Sequence, residues 1–376
     1  MRISIIMNYY PRDIGGGAKI IHEYANYFVS KGADVVIYYQ YSLDIALKKW
    51  RIPKSVKNVI EKIRIEKVPF NWFELDKRIR KVAIEEINDE NIRSGDWVIA
   101  TTCFTANPVW NLTDSKGKKA YLIQDFENWG VTDEFVYNTY KLGLNNIVVS
   151  NWLKKLVTQY DKNKPVVISN GINQKIFNVK NAVDDRIEHS IVFQYRKGSY
   201  KGGEYYPQIV KLLKKRFQDL TVNIIGIEDR PSCFPDYCNY YHNITPKLVA
   251  EINNKSQVFV CCSVNEGFGL PGLEAMACGC AVVSTAYKGV FEYAVDGENA
   301  MLCDIGDVKS MVENISILFV DTDKRKKISE NGVRTAKQRT IETQGNQFWD
   351  YLTQRSRNEV TKQYEEKDEN RSNFSV

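Results

Sequence analysis

The amino-acid sequence predicts an α/β protein with two doubly wound, parallel β-sheets. Short apolar runs alternate with helical patterns along most of the 376 residues. This alternation is typical of βαβ units with helices on both faces of a sheet. It restarts after a polar segment of mixed charge at Asn178–His189, and the chain length suits two domains. We therefore expect one sheet on each side of this segment.

The first half begins with a strand at Ile3–Met7, a turn at Gly15-Gly16-Gly17 and a helix from Ala18 to Ser30. Apolar side chains recur at helical spacing in this helix, and Gly32 is its stop signal. Six further strands are predicted in this half: Val35–Tyr39, Ile65–Pro69, Trp97–Ala100, Ala120–Ile123, Ile147–Val149 and Val166–Ile168.

The second half repeats the alternation. Its predicted strands are Ile191–Gln194, Val222–Ile225, Val258–Cys262 and Ala281–Ser284, and its predicted helices are Glu204–Phe217 and Leu270–Cys278. From Asp321 onward the pattern is helical, and the tail Gln354–Val376 is polar enough to fray or be disordered. We assign residues 1–170 to a first domain, 171–345 to a second domain, and 346–376 to a C-terminal helix and polar tail.

The composition is that of an ordinary globular protein. Hydrophobic residues make up 43% and charged residues 26% of the chain, which argues against a disordered or fibrous protein. The N-terminal segment lacks the apolar core and cleavage site of a signal peptide. The eight cysteines include no Cys-x-x-Cys pair, so we expect neither a disulfide framework nor a structural zinc site. We expect a soluble, cytoplasmic protein.

The most informative motif is Asn265–Gly279, which reads NEGFGLPGLEAMACG. It follows the carboxyl end of a buried strand, where open α/β sheets place their ligand sites. Its glycines let a ligand approach the backbone closely, and Pro271 suits the first position of a helix. The free amides of Phe268, Gly269 and Leu270 are then expected to face an anion, with the helix dipole behind them.

Two carboxylates accompany this expected anion site. Glu266 lies in the loop and Glu274 in the first turns of the helix. Because like charges repel, neither is suited to hold a phosphate, and both are better placed to accept hydrogen bonds from sugar hydroxyls. A lone Glu here would be the acidic first turn of a capped helix. The whole motif favours a ligand that contains both sugar and phosphate.

This motif resembles the Glu-x7-Glu signature of retaining glycosyltransferases with the GT-B fold, in glycosyltransferase family four. Three further stretches match that family in the right order. Ser169–Phe177 resembles its crossover between domains, Arg196–Gly202 its Arg-x4-Lys-Gly turn, and Gly15–Lys19 its Gly-Gly loop after the first strand. The resemblance covers most of the chain up to the polar tail.

The resemblance implies two Rossmann-like domains that face a cleft, with a C-terminal helix that crosses back to the first domain. It implies a UDP-sugar or dTDP-sugar donor on the second domain and a glycan or lipid-linked saccharide acceptor mainly on the first. Glu274 would hold the ribose and Glu266 the donor-sugar hydroxyls, while the Gly16 and Gly17 amides complete the phosphate site on closure. Transfer would retain the anomeric configuration, in bacterial-type surface polysaccharide synthesis.

Arg196 and Lys201 suit the diphosphate on physical grounds as well. Displacing a nucleotide diphosphate from a sugar builds negative charge on the leaving oxygen, which a divalent metal or fixed basic side chains must stabilise. Arg can bind two phosphate oxygens in a fork, and Lys supplies a point charge. Standing alone, the two residues would be solvated cations in a surface turn.

A metal-dependent enzyme of this kind would carry an Asp-x-Asp motif after a strand. Asp321-Thr322-Asp323 has this form and follows the apolar run Ile315–Val320. It also precedes a basic helical stretch, where acidic residues are ordinary helix caps. We favour the cap and expect no metal site and no cofactor besides the donor substrate.

In the first domain, Gln124-Asp125-Phe126-Glu127 stands at the ligand-facing end of a strand. Family members usually have His and then Asp here, and the His reaches the 6-hydroxyl of the donor sugar. A subgroup with Gln-Asp-Tyr/Phe-Glu is similar and includes rhamnosyltransferases, whose 6-deoxy sugar has no such hydroxyl. The resemblance therefore points to dTDP-rhamnose as a candidate donor. It places Gln124 and Asp125 against the sugar or acceptor, with Asp125 among the catalytic residues.

The three histidines are not obvious catalysts. We expect His22, on the first helix, to be packed or half-exposed. His189 lies in the joint between the domains, and His242 lies in a loop that is near the nucleotide in the family. No Ser/His/Asp or Cys/His arrangement supports nucleophilic hydrolysis. In the family, retention is ascribed to front-face attack in which the leaving phosphate oxygen takes the acceptor proton, so no protein base is required.

The net charge of +6 lies in the first half of the chain, where residues 48–81 carry 12 basic and 4 acidic side chains. Within residues 44–67, Trp50 and other apolar residues alternate with cations, as in segments that bind an anionic membrane surface. The alternative is a solvated helix pair, since Pro53 prevents one long helix. No recognition module for nucleic acid accompanies the charge. Membrane binding would make the protein peripheral at the inner face of the cell membrane.

Two alternatives from other classes remain open: a catalytically silent GT-B partner subunit and a nucleotide-sugar epimerase. A silent subunit is expected to have lost Glu266, Arg196 or Lys201, yet all three are present. An epimerase needs acid and base residues that the sequence does not offer. An NAD dehydrogenase is disfavoured because the first loop lacks the Gly-x-Gly-x-x-Gly spacing.

Overall fold

Two parallel β-sheets organise the computed structural model, which describes residues 1–41 and 54–355. The first sheet has seven strands in the order β3-β2-β1-β4-β5-β6-β7. They are β1 Arg2–Met7, β2 Asp34–Gln40, β3 Arg80–Ile84, β4 Trp97–Ala100, β5 Lys118–Ile123, β6 Asn145–Val148 and β7 Val166–Val167. The helices of this part are α1 Gly16–Ser30, α2 Lys54–Lys67, α3 Cys103–Trp110, α4 Asp133–Tyr140 and α5 Asn151–Val157.

The second sheet has six strands in the order β10-β9-β8-β11-β12-β13. They are β8 Ile187–Tyr195, β9 Thr221–Gly226, β10 Asn239–His242, β11 Ser256–Cys261, β12 Ala281–Thr285 and β13 Met301–Cys303. The helices are α6 Tyr206–Arg216, α7 Pro246–Lys255, α8 Leu270–Ala277, α9 Val308–Val320 and α10 Thr322–Lys337. Residues 341–355 form a last helix, α11.

Most strands could be located from apolar runs because they are buried on both faces. β2 has five consecutive buried residues, and all six residues of β11 are buried. A parallel sheet that is covered by helices on both sides requires such strands, whereas a sheet with one solvated face would alternate apolar and polar residues.

The strand order reverses beside the first strand of each sheet, between β1 and β4 and between β8 and β11. Loops diverge at such a switch point and leave a crevice outside the carboxyl ends of the strands. Gly16 begins the helix after β1, Arg196 directly follows β8, and Glu266 lies in the loop after β11. The sheet topology therefore brings the predicted site residues to the two crevices.

Helix α11 crosses back to the first sheet, as predicted. The ring of Phe348 packs edge-on against Tyr24 and Phe28 of α1, with ring centroids 5.2 Å apart in both pairs. The Trp97 indole of β4 donates a hydrogen bond of 3.2 Å to the main-chain oxygen of Leu352. The last described helix thus contributes to the core of the first domain.

The chain crosses between the two sheets twice, and main-chain hydrogen bonds join the two crossing segments. The Ile172 amide donates to the Arg339 carbonyl and the Ile341 amide donates to the Ile172 carbonyl, both at 2.9 Å. A Cβ atom at Gly171 would lie 2.4 Å from the Thr340 carbonyl oxygen, so only glycine fits. The domain boundaries at residues 170 and 345 stay predictions.

The predicted strand Ile65–Pro69 is wrong, because residues up to Lys67 belong to helix α2. Val56, Ile60 and Ile63 repeat at helical spacing, while Ile63 and Ile65, which alternate with charged residues, also fit the start of a short strand. The strand of this region is β3, which begins with Arg80 and Lys81 at the edge of the sheet. Strands β10 and β13 and helix α9 were also not predicted.

The apolar run before Asp321 is helical, since it belongs to α9. The Asp321 carboxylate accepts a hydrogen bond of 2.9 Å from the Lys324 amide and caps α10, so the favoured cap is confirmed. Most of the tail predicted to fray, residues 356–376, lies outside the described residues. Across 1–41 and 54–355, no helix combines the length and the apolar character needed to cross a bilayer.

Candidate functional site

The loops after β5 and β11 touch across the cleft between the domains. A Cβ atom at Gly267 would lie 1.8 Å from the carbonyl oxygen of Gln124, so glycine is required for this approach. The Trp152 indole of the first domain donates a hydrogen bond of 2.9 Å to the Gly267 carbonyl. The strand ends that carry Asp125 and Glu266 are therefore neighbours.

Lys201 and Glu266 form an ion pair at this contact. Lys201 Nζ lies 3.1 Å from Glu266 Oε1, and the Ser263 hydroxyl donates a hydrogen bond of 2.5 Å to the same oxygen. Burial opposes the charged form of Lys201, but the carboxylates of Glu266 and Asp125 outweigh it and raise the pKa of the ammonium. The lysine is thus held as a cation at the centre of the cleft.

A glycine turn brings Lys201 to this position. Gly202 has φ of +62°, a left-handed conformation, and a Cβ atom there would lie 1.9 Å from the Cys262 carbonyl oxygen. The turn Ser199–Lys201 is therefore pressed against the end of β11, directly before the loop with Glu266.

Arg196 faces a small cavity beside this ion pair. Its Nη1 donates a hydrogen bond of 2.9 Å to the Tyr195 carbonyl, and burial lowers the pKa of its guanidinium. The cavity measures about 60 Å³. Seven of its lining residues come from the predicted motifs: Gly16, Lys19, Phe177, Arg196, Leu270, Pro271 and Glu274.

Glu274 is paired with a residue of the other domain. Its Oε1 contacts Lys19 Nζ, and both side chains are buried. The Lys19 ammonium also lies over the Phe177 ring, 4.3 Å from its centroid. The sequence motif at Gly15–Lys19 drew attention to its glycines, and Lys19 itself was missed. A cation one turn before Glu23, on a helix that has mostly apolar residues, was the signal that it offered.

On the first-domain side, Asp125 and Gln124 lie in the cleft. Burial raises the pKa of Asp125 to about 6, although its hydrogen bond from the Phe126 amide and the nearby Lys201 favour the ionised form. The Gln124 side chain donates a hydrogen bond of 3.3 Å to the Gly17 carbonyl. Gln124 thus connects the β5 loop with the glycine turn after β1.

Glu127, the last residue of the Gln124–Glu127 motif, has a buried carboxyl group to which the sequence assigned no role. Its Oε2 accepts hydrogen bonds from the Cys103 amide at 2.5 Å and from the Tyr121 hydroxyl at 3.3 Å. Burial raises the pKa of Glu127 to about 8, and these two donors only partly offset it. Glu127 therefore ties the loop with Asp125 to the start of α3.

In the motif after β11, some side chains pack in the interior and others face the cleft. Phe268 is buried, and its ring lies 5.5 Å from that of Tyr293. Gly269 has φ of +92° at the N-cap of α8, and its carbonyl accepts a hydrogen bond of 2.8 Å from the Tyr293 hydroxyl. Leu270 lines the cavity. The Phe268 side chain thus supports the loop, while Leu270 faces the site.

The histidines lie apart from the ion pairs described above. His22 is packed and not half-exposed, with Nε2 at 2.7 Å from the Tyr39 hydroxyl, and burial lowers its pKa to about 3. His189 pairs with Asp219 at 2.9 Å. His242 lies 2.8 Å from the carbonyl of Ile227, a cavity residue. Among the described residues, no cluster of His, Cys, Asp and Glu is arranged to hold a metal ion.

A family model matches the second half of this arrangement. Residues 173–335 are similar to the model described as Glycosyl transferases group 1. The matched range includes Arg196, Lys201, Glu266 and Glu274, while Lys19, Gln124 and Asp125 lie outside it.

Two curated relatives carry related names. One is described as an uncharacterized glycosyltransferase, MJ1178 from Methanocaldococcus jannaschii, with 28% identity over 51% of this chain and 54% of the relative. The other is the capsular polysaccharide biosynthesis glycosyltransferase CapM from Staphylococcus aureus, with 26% identity over 50% of this chain and 55% of the relative. The chain spans about half the length of the curated relatives it matches.

Solved structures are similar over nearly the whole chain. Sucrose-phosphate synthase from Thermosynechococcus elongatus has a TM-score of 0.71 at 14% identity and covers 94% of this chain and 98% of its own. TarM has a TM-score of 0.69 at 13% identity, with 93% and 98% covered. At such identities the similarity establishes the fold. The predicted GT-B fold is confirmed.

Proposed function

We propose that this protein is a glycosyltransferase that moves a sugar from a nucleotide-diphosphate sugar to a glycan or lipid-linked saccharide. The observation that carries the proposal is the Lys201–Glu266 ion pair, which lies opposite Asp125 beside the cavity that holds Arg196 and Glu274. The name of CapM, which refers to capsular polysaccharide biosynthesis, supports a role in surface polysaccharide synthesis.

The two half-buried cations support a nucleotide-diphosphate donor. Arg196 and Lys201 can neutralise charge on the leaving diphosphate, and their shielded position strengthens that interaction. We assign the ribose to Glu274, the donor-sugar hydroxyls to Glu266, and further phosphate contacts to the Gly16 and Gly17 amides. A UDP donor is in keeping with the similar structure of Anabaena HepE, which is a complex with UDP and glucose.

We further propose that transfer retains the anomeric configuration and needs no metal. The acceptor oxygen would attack the anomeric carbon on the face from which the diphosphate leaves. The acceptor proton would pass to the leaving phosphate oxygen, so that no protein base is consumed. Proton NMR of the first product tests retention, and turnover that is unchanged in EDTA tests metal independence; an inverted product or a loss of turnover would contradict them.

A thermal-shift screen followed by a transfer assay tests the central proposal. UDP, dTDP and their sugars are expected to raise the melting temperature, because a ligand that binds only the folded state stabilises it. Incubation with donor and acceptor is expected to release the nucleotide diphosphate. Binding without release would favour the silent partner subunit, sugar interconversion without release would favour the epimerase, and no binding would contradict all three.

We propose dTDP-rhamnose as the donor sugar to test first. Gln124 replaces the usual His of the family, and its amide is bonded to Gly17 in the cleft. A 6-deoxy sugar has no 6-hydroxyl for the residue at this position to contact, so a Gln in place of the His is compatible with such a donor. Turnover with dTDP-rhamnose is expected to exceed turnover with UDP-glucose and UDP-N-acetylglucosamine, and a clear preference for glucose would contradict the assignment.

We also propose that helix α2 binds an anionic lipid surface. Residues 44–53 of the predicted segment lie outside the described residues, but Val56, Val59, Ile60 and Ile63 repeat at helical spacing and are 44–57% exposed. The basic residues Lys62, Arg64 and Lys67 belong to the same helix. An exposed apolar stripe with nearby cations is typical of helices that lie in a membrane interface.

Sedimentation with phosphatidylglycerol-containing vesicles tests this surface. The wild-type protein is expected to sediment with the vesicles at low salt, and Ile60→Asp/Ile63→Asp is expected to remain in solution. Ile317→Asp, which alters an exposed apolar residue on α9 of the second domain, serves as the control. Equal sedimentation of all three proteins would contradict the proposal.

A further inference from the structure

A buried ion pair joins the two domains inside the candidate donor site. Lys19 of α1 and Glu274 of α8 are each 5% exposed, and their charged atoms touch although 255 residues separate them. Phe177, the last residue of the crossover segment between the domains, lies against the same ammonium. Removing one partner of a buried pair leaves an uncompensated charge, which is strongly destabilising. Loss of either partner is therefore expected to disturb this contact between the domains.

This pair occupies the carboxylate that the proposed function assigns to the ribose. The cavity around it measures about 60 Å³, whereas pockets for small ligands usually measure roughly 300–1,000 Å³. The cavity is therefore too small for a nucleotide diphosphate in this conformation, and the Lys19–Glu274 pair is part of its lining.

Lys19 would still have negatively charged neighbours if it separated from Glu274. Glu23 lies one turn further along α1 and is buried, with its carboxylate accepting a hydrogen bond of 3.2 Å from Asn173. Burial raises the pKa of Glu23, and the nearby Lys19 ammonium opposes that shift. Arg196 lines the same cavity as Lys19. A phosphate group beside the guanidinium would thus be a second partner for the ammonium.

We propose that Lys19 is a ligand of the donor diphosphate, and that Glu274 holds it until the donor arrives. Donor binding exchanges one ion pair for two contacts: Glu274 with the ribose hydroxyls, and Lys19 with phosphate oxygens. A cation of the first domain then joins Arg196 and Lys201 of the second, so that the diphosphate connects the domains. This inference rests on the proposed function, because it requires a donor in this cavity.

Calorimetric titration with UDP, dTDP, uridine and thymidine separates the phosphate contact from all others. Lys19→Gln is expected to weaken binding of the diphosphates about 10-fold or more, as for a lost charge-assisted hydrogen bond. Binding of the nucleosides is expected to be unchanged or tighter, because Glu274 is released. Lys31→Gln, which removes the same charge from the exposed end of α1, is the matched control and is expected to bind like the wild type.

Equal loss for diphosphates and nucleosides, or no loss, would overturn this inference and leave the proposed function standing. Wild-type protein that binds neither UDP nor dTDP would overturn the proposed function itself. If Lys19→Gln does not fold, Glu274→Gln is compared with Lys19→Gln/Glu274→Gln, which leaves no unpaired charge. The double variant is expected to show an about 10-fold lower ratio of diphosphate to nucleoside affinity, and an equal ratio would contradict the inference.

Discussion

The two walls of the cleft differ in the ionisation of their charged side chains. On the second-domain wall, Arg196 and Lys201 are cations, and Lys201 is kept charged by Glu266. On the first-domain wall, burial raises the pKa of Asp125 to about 6 and that of Glu127 to about 8. One wall holds fixed charges, while the other holds carboxyls that change protonation near neutral pH. The difference suggests that charge stabilisation and proton-sensitive positioning are assigned to different domains.

The largest expected effect comes from removing a fixed charge on the second-domain wall. Arg196→Ala and Lys201→Ala are each expected to lower kcat about 10²–10³-fold, because each removes a charge that would stabilise the transition state. Steady-state transfer assays measure the loss. Lys197→Ala, an exposed lysine between the two, is the control and should keep its turnover. Near-normal turnover in either cleft variant would mean that this wall does not stabilise the leaving diphosphate.

The next effect concerns the proton-sensitive wall and appears in stability. The pKa of Glu127 is about 8 in the folded protein, against an ordinary value of 4.5. Between these values the folded state binds more protons than the unfolded state, so stability falls as the pH rises. Glu127→Gln cannot titrate and should reduce this fall by roughly 3 kcal/mol between pH 5 and pH 8.

Urea unfolding of both proteins at pH 5 and pH 8 measures this difference. Glu134→Gln removes an exposed carboxylate on α4 and should follow the wild type. If the stability of Glu127→Gln changed with pH as much as that of the wild type, Glu127 would be ionised like a surface carboxylate. The contrast between the two walls would then disappear.

The smallest effect is expected at an acidic pair outside both walls. Asp321→Ala removes the cap of α10 and should lower the free energy of unfolding by about 1 kcal/mol. Turnover, with and without added divalent metal, is expected to match the wild type. A variant that lost activity while remaining folded would assign Asp321 a functional role, and the cleft charges could no longer account for the whole site.

Much of this architecture was predictable because it depends on local sequence. Apolar runs marked the buried strands, and the glycine-rich motif located the loop of Glu266. Only the end of helix α2 was mistaken for a strand, because Ile63 and Ile65 alternate with charged residues. Strand β3 was missed because its edge position tolerates Arg80 and Lys81, which hide the apolar pattern.

The pairing within the site could not be predicted in the same way. Lys19 and Glu274 are 255 residues apart, and no local pattern indicates which loops of two domains will meet. Glu127 was visible in its motif, but its pKa depends on burial against Cys103 and Tyr121. Residue types and motifs therefore identified the candidates, whereas the partners of those residues required the three-dimensional structure.

The return of α11 to the first sheet has a consequence for synthesis of the protein. Phe348 and Leu352 complete the surroundings of Phe28 and Trp97. On the ribosome, the first domain therefore stays open along α1 until the second domain has been translated. Exposed apolar surface makes such intermediates prone to aggregate. A fragment of the protein that ends before α11 is therefore expected to fold only when residues 341–355 are added, either as a separate peptide or through a linker.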